Sequence, residues 1–185
     1  VMTSSSSPGI SLKQEGISYA SCAELPEVIV NIVRCGPGLG GILPAQCDYF
    51  QAVKGGGHGD YKMVVLAPSS IQELYELTVE AFNISDRYRV LTMIMGDGIL
   101  GQMMEAVEFK EKEDVIRGDK SWAATGTGMS RENNVITSIY IKPEVLEQHN
   151  LKLQAKYARI EENETRVETY NCDGADIIVA AFGTV

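Results

Sequence analysis

Three short apolar runs constrain this chain more than any other feature: Val28-Ile29-Val30-Asn31-Ile32-Val33, Met63-Val64-Val65-Leu66 and Val90-Leu91-Thr92-Met93-Ile94-Met95. Each is nearly continuous instead of alternating, the pattern of a strand buried on both faces of a parallel sheet. Between the second and third runs, Ile71, Leu74, Leu77 or Thr78, Ala81 and Phe82 or Ile84 recur at helical spacing. Ser69-Ser70 with Gln72-Glu73 just downstream has the form of an N-terminal capping box. Strand, helix, strand at this spacing is a βαβ unit, so the fold class is α/β with a parallel sheet. Ahead of the first run, Leu12, Ile17, Ala20 and Ala23 mark a helix over residues 11–24, which Pro26 ends.

The remaining segments fill in around this unit. Residues 36–60 hold ten glycines and prolines and show no period, which predicts a long ordered loop at the carboxyl end of the first strand. Long loops in compact domains usually carry function. Beyond residue 105 the composition shifts to a charge-rich stretch (108–120), a turn-like stretch (122–134) and a polar helix (143–164), together a linker or wrapping arm. Residues 175–183 read as one more buried strand, which needs a partner and so marks the start of a second domain. The expected divisions are 1–107, 108–174 and 175–185.

Composition removes several classes of function. A length of 185 residues suits one domain with a sizeable core. The net charge of -9 is spread along the chain, which argues against a nucleic-acid partner. No apolar run approaches the ~18 residues of a membrane-spanning helix. The first residues lack the basic and apolar regions of a secretory signal, so the expectation is a cytoplasmic protein with no membrane partner. Cys22, Cys35, Cys47 and Cys172 contain no C-x-x-C and read as free thiols, with no zinc or iron-sulfur ligand set.

Three motifs carry chemical possibilities. Gly36-Pro37-Gly38-Leu39-Gly40-Gly41 satisfies G-x-G-x-x-G after a strand, with Asp60 downstream. A dinucleotide fingerprint needs a helix opening within the turn, whereas Ile42-Leu43-Pro44 follows here. A noncatalytic nucleotide-binding or assembly module built on residues 36–41 is the alternative reading. In Lys54-Gly55-Gly56-Gly57-His58-Gly59-Asp60 the histidine sits among glycines with no apolar side to bury, and Asp60 could orient it, which favours an active-site placement. Thr3 to Ser7 with Pro8-Gly9 offers hydroxyls and N–H groups just before a helix, suited to oxygen or anion binding or to plain helix capping.

These residues, taken in order, resemble a known family. The turn from Thr3 to Leu12 is similar to the TSGPG-like turn and helix in the pyrimidine-binding domain of thiamine diphosphate enzymes. Gly36-Pro37-Gly38, Leu43-Pro44-Ala45-Gln46-Cys47-Asp48, Gln51-Ala52 and Gly57-His58-Gly59-Asp60 resemble the GPS/GPG, LPT-x-x-Q-x-D, QA and GHGD series of 2-oxoacid:ferredoxin oxidoreductase alpha subunits. Leu66-Ala67-Pro68-Ser69-Ser70, Ala81-Phe82-Asn83 and Asp97-Gly98-Ile99-Leu100-Gly101-Gln102-Met103-Met104-Glu105 continue the series. The resemblance covers about the whole chain. The Gly36-Pro37-Gly38-Leu39-Gly40 and Gly101 to Glu105 forms look most like the branched-chain, 3-methyl-2-oxobutanoate type.

The resemblance implies CoA-dependent oxidative decarboxylation of a 2-oxoacid, with electrons passing to ferredoxin. It implies thiamine diphosphate shared with a beta subunit, and Mg²⁺ and iron-sulfur clusters held by partner subunits. The partners implied are beta and gamma subunits, with delta as an optional further one, in an oligomer. Residues 1–107 would be the back part of the pyrimidine-type domain and 175–185 the start of a transketolase-C-terminal-like domain. Ser5, Ser6 and Gly9 would line the cofactor cavity, and His58 and Asp60 would lie near the reacting 2-oxoacid. Gly57 and Lys54 would meet the substrate, Lys54 beside Val53 where the family has a basic residue. Asp97-Gly98 looks like the magnesium loop of thiamine enzymes but lacks the matching asparagine, so a structural turn is expected. The family's activating glutamate and YPITP-like loop precede the serine-rich turn and would lie before Val1. The expectation is therefore a fragment, inactive without partner subunits.

Overall fold

A computed structural model describes residues 1–110, 115–116 and 118–185. It contains a four-stranded parallel sheet in the order β1-β2-β4-β3, built from β1 (Met2–Ser5), β2 (Glu27–Val33), β3 (Val64–Leu66) and β4 (Leu91–Asp97). The central pair is β2 with β4, in register from Glu27 opposite Leu91 to Val33 opposite Asp97. All of β4 is buried, as a strand flanked on both edges and covered on both faces must be. The sequence reading did not include β1. Its serines have low strand propensity, and it forms by pairing Met2 to Ser5 with Val28 to Asn31.

Crossover handedness places the helices. The steps β1-α1-β2 and β3-α3-β4 run in opposite directions across the sheet, so right-handed connections put α1 (Pro8–Cys22) and α3 (Ile71–Tyr88) on opposite faces. Two cores follow. Ile10, Ile17 and Ala20 of α1 pack with Ile29, Val33, Leu91, Met93, Ala52 and Tyr61. Ala81, Ile84 and Tyr88 of α3 pack with Val28, Leu66, Val90 and Ile94. The capping box resolves to Ser70, whose Oγ accepts from Glu73 N at 3.1 Å. The Glu73 carboxylate reaches back to Ser69 N at 2.7 Å. Glu105 adds a second carboxylate at this helix end, accepting from Ile71 N at 2.7 Å.

The wrapping arm takes a definite place. In α4 (Pro143–Glu164), Leu153, Tyr157 and Ile160 form one apolar stripe that joins the α3 core. The helix lies across the amino end of the sheet, with Tyr157 Oη 3.3 Å from Ser21 Oγ and His149 Nε2 2.8 Å from the Cys22 carbonyl. Glu24 at the end of α1 bonds both Lys152 and Lys156 of α4, the latter at 2.9 Å. Burial presses the Glu24 carboxyl up, but the hydrogen bonds and charges of Lys152 and Lys156 outweigh it and bring it down to about 2. The charge-rich stretch 108–120 falls partly outside the described residues.

Two sequence expectations need amendment. Residues 36–60 include a short helix, α2 (Tyr49–Lys54), too brief to show a period. Residues 175–183 form no strand here: neither edge of the sheet pairs with them, and Ile177, Ile178 and Val179 are exposed. A parallel strand needs a ladder partner, and the chain instead turns Phe182 into the carboxyl edge of this sheet.

A carboxyl held low in the folded state stabilises it above its unfolded pKa. Glu24→Gln is therefore expected to cost on the order of 2 kcal/mol at neutral pH. In urea titrations the gap from wild type should be full above pH 4.5 and close as pH falls towards 2. A gap independent of pH would contradict this role for Glu24.

Candidate active site at the carboxyl edge

In open parallel sheets ligands bind outside the carboxyl ends of the strands, where the strand order reverses. Here the reversal lies between β2 and β4. The crevice directly above it, lined by Val33, Gln46, Pro68, Asp97, Leu100 and Phe182, retains about 10 Å³. That is room for one water at most. The chain itself fills it: Gln46 donates to the Phe182 carbonyl at 2.8 Å, Tyr49 stacks on Phe182 at 5.5 Å, and Thr184 bonds Asp97. Asp97 also accepts from Ile99 N at 2.8 Å and Leu100 N at 3.1 Å, so it serves the structural turn expected of it.

The polar groups gather one strand over, above β1 and β2. Asn31, 1% exposed in an otherwise apolar strand, accepts from Ser7 N at 3.0 Å and donates to Asp48 at 3.1 Å. Arg34 N donates to Ser7 Oγ at 3.1 Å, and Cys47 Sγ lies 3.2 Å from the Arg34 carbonyl. Ser7 holds φ at 36°, a left-handed backbone that a non-glycine residue keeps only when its surroundings impose it. The first N–H groups of α1 are already used: Gly9 N donates to Ser6 O, and Ile10 N and Ser11 N to Ser7 O. This helix end is therefore capped by its own backbone, and what remains for a ligand is side chains.

Among the expected residues, Ser5, Ser6 and Gly9 come together. A Cβ on Gly9 would lie 1.9 Å from Ser5 Oγ, so glycine permits the close approach of α1 to the end of β1. No described residue hydrogen-bonds the Ser5 or Ser6 side chain, leaving two half-buried hydroxyls open. Gly57 rests on α1, where a Cβ would meet the Gln14 carbonyl at 2.8 Å and the Tyr61 ring at 3.1 Å. Tyr61 donates to Gln14 at 2.6 Å, and Gln51 to Ser11 at 2.9 Å. The glycine loop thus lies along the first turns of α1. His58 and Asp60 beyond it, and Lys54 at the end of α2, are exposed. None has a described contact with another or with Ser5, Ser6 or Gly9.

Sequence reasoning missed Asn31, Arg34 and Asp48. The signal for the first was a lone amide inside a buried strand, which must find partners. Arg34 Nε is buried with no hydrogen-bond partner, an unsatisfied donor at the carboxyl end of β2. The 36–41 loop folds back on itself, with Cys35 N donating to Leu43 O, Gly41 N to Cys35 O, and Arg34 bridging Pro44 antiparallel. No helix opens in this turn, so the dinucleotide-binding alternative lacks its phosphate-facing helix end. Among the described residues no group of three His, Cys, Asp or Glu side chains could hold a metal, and no helix is long and apolar enough to cross a membrane.

A parallel sheet with helices on both faces, and with hydroxyls, a buried amide and an arginine whose Nε lacks a partner gathered at one carboxyl corner, defines an α/β domain with a candidate ligand site. The chain belongs to the family of pyruvate flavodoxin/ferredoxin oxidoreductases, thiamine diphosphate-binding domain, which matches residues 1–169. It is 54% identical, over 99% of its length, to ketoisovalerate oxidoreductase subunit VorB of Methanothermobacter thermautotrophicus, covering 52% of that protein. It is 35% identical, again over 99% of its length, to 2-oxoglutarate synthase subunit KorA of Archaeoglobus fulgidus, covering 53% of it. The chain thus spans about half the length of these curated relatives. Its fold matches a chain of the 2-oxoglutarate:ferredoxin oxidoreductase of Magnetococcus marinus, solved with 2-oxoglutarate, coenzyme A and succinyl-CoA bound. The TM-score is 0.73 at 23% identity, over 94% of this chain and 35% of that one.

The Ser5 and Gly9 contact makes a coupled prediction. Gly9→Ala should destabilise the chain by about 1–3 kcal/mol through overpacking, and Ser5→Ala in the same chain should recover more than half of the loss. Strictly additive effects in denaturant unfolding would contradict the contact.

Proposed function

We propose that this chain is part of the alpha-type subunit of a 2-oxoacid:ferredoxin oxidoreductase and contributes the pyrimidine side of a shared thiamine diphosphate site. The reaction converts a 2-oxoacid, CoA and oxidised ferredoxin to acyl-CoA, CO2 and reduced ferredoxin, the electron pair leaving through iron-sulfur clusters of partner subunits. The observation that carries the reading is the 54% identity to a ketoisovalerate oxidoreductase subunit against 35% to a 2-oxoglutarate synthase subunit over the same span. It favours a branched substrate, 3-methyl-2-oxobutanoate, over a dicarboxylic one.

Thiamine diphosphate, when bound, supplies the electron sink for loss of CO2. The donor set here fits its aminopyrimidine end: the open hydroxyls of Ser5 and Ser6 can exchange hydrogen bonds with ring nitrogens, and Gly9 keeps their shelf narrow. Asn31, tied to Ser7 and Asp48, holds that shelf at fixed height over the sheet. Arg34 is the better-placed cation for the substrate carboxylate, since its Nε is buried without a partner and a guanidinium matches a carboxylate fork as a lysine cannot. Lys54 is the secondary candidate. His58 and Asp60, on the glycine loop over α1, are assigned to the reacting 2-oxoacid once a partner subunit covers the loop. Leu39, Ile42, Leu43 and Phe50, all exposed on residues 36–60, offer that subunit an apolar surface. Magnesium and the clusters are assigned to partner chains, and residues 175–185 to the start of a second domain.

In the assembled enzyme, Arg34→Lys is expected to raise KM for 3-methyl-2-oxobutanoate by about ten-fold, and Arg34→Met by about a hundred-fold, with much smaller changes in kcat. Tm should hold, because Arg34 Nε has no internal partner to lose. A KM unchanged in both variants would remove Arg34 from the substrate site. Preference for 2-oxoglutarate over the branched acid would overturn the substrate assignment.

A further inference from the structure

The amino end of the sheet carries a second polar feature, remote from the carboxyl corner. Lys152, Lys156 and Arg159 recur on one face of α4 at spacings of four and three. Across a cleft of about 420 Å³ they face Arg87 and Arg89 at the end of α3. Five cationic side chains thus line the cleft against the single carboxylate of Glu24, in a chain whose net charge is -9.

Part of this charge has internal partners. Lys156 bonds Glu24 and the Arg89 carbonyl, each at 2.9 Å. Arg89 Nε donates to the Glu24 carbonyl at 3.2 Å, Lys152 pairs with Glu24, and Arg87 pairs with Glu164 at 2.7 Å. Two of these contacts reach the Glu24 and Arg89 carbonyls just past the ends of α1 and α3. They leave a surplus. Arg159 pairs with no carboxylate among the described residues and only overlies the Tyr88 ring at 5.3 Å. Lys152 keeps 61% of its side chain exposed. Burial presses the Lys156 ammonium below its usual range, Glu24 opposes this, and the charges of Lys152 and Arg89 deepen it. An anion in the cleft would relieve that repulsion.

We propose that this cleft binds a small phosphate-chain anion, with Arg159 and Lys152 as its main contacts. A guanidinium fork beside ammonium groups matches phosphate oxygens in geometry and charge, and the volume exceeds one phosphate. Tyr88 is 8% exposed and covered by Arg87 and Arg159 at 5.8 and 5.3 Å, and the neighbouring Trp122 ring is overlain by Arg89 at 4.1 Å, so the described lining presents no free ring face to a base. Recognition is therefore of the phosphate chain alone. This inference is independent of the thiamine site.

Titration calorimetry of inorganic tripolyphosphate into the 185-residue chain, with ATP in a parallel arm, tests it. The expected result is one-site binding that weakens with salt, with ATP no tighter than tripolyphosphate. Arg159→Ala and Lys152→Ala should each weaken it about five-fold or more, while Lys62→Ala, on an exposed residue outside the cleft, leaves it unchanged. Arg159→Ala has no ion pair to lose, so its fold should persist, as a melting curve will show. Absence of binding, binding indifferent to Arg159→Ala and Lys152→Ala, or clearly tighter binding of ATP would overturn the proposal.

Discussion

The parallel pairing of Glu27–Val33 with Leu91–Asp97 is the constraint on which the rest of the molecule depends. It forces the two middle strands to be apolar on both faces, which sends α1 and α3 to opposite sides and leaves only strand ends and loops for polar chemistry. The one polar side chain of β2 that is almost fully buried, Asn31, then has a fixed task. Its amide links the Ser7 turn to Asp48 and so joins two segments far apart in sequence into one corner. The strain at Ser7 persists because this network and the first turn of α1 hold it.

The two ends of the sheet divide the labour. At the amino end, α4 closes the α3 core and Glu24 collects two lysines. At the carboxyl end, the crevice of the strand-order reversal is filled by Phe182 and Thr184, and the polar side chains gather at the neighbouring corner between β1 and β2. Under the proposed function, the hydroxyls and one cation of that corner would form one side of a cofactor site completed by another chain.

Much of this was legible in the sequence, for physical reasons. Strands buried on both faces announce themselves as unbroken apolar runs, and Ser70 with Glu73 announced the start of α3. The serines of β1 have no such signature, because an edge strand is held by its neighbour and not by its own propensity. The site divides the same way. Ser5, Ser6 and Gly9 were singled out through the family resemblance, and the fold brings them together, Gly9 closely approaching Ser5. His58 and Asp60 were singled out by motif, yet the fold leaves them exposed and without described contacts. Arg34 was passed over because one arginine after a strand is ordinary, and only the burial of its Nε sets it apart. The strand expected at 175–183 needed a pairing partner that this sheet does not offer.

The central claim is that the corner above β1 and β2 is the chain's share of a thiamine diphosphate site. Amide hydrogen exchange on the assembled enzyme, with and without thiamine diphosphate, tests it most directly. The account predicts added protection concentrated in residues 5–11 and 31–36, with the Glu24 region at the amino end of the sheet unchanged. Protection absent from both segments, while the cofactor is demonstrably bound, would contradict it.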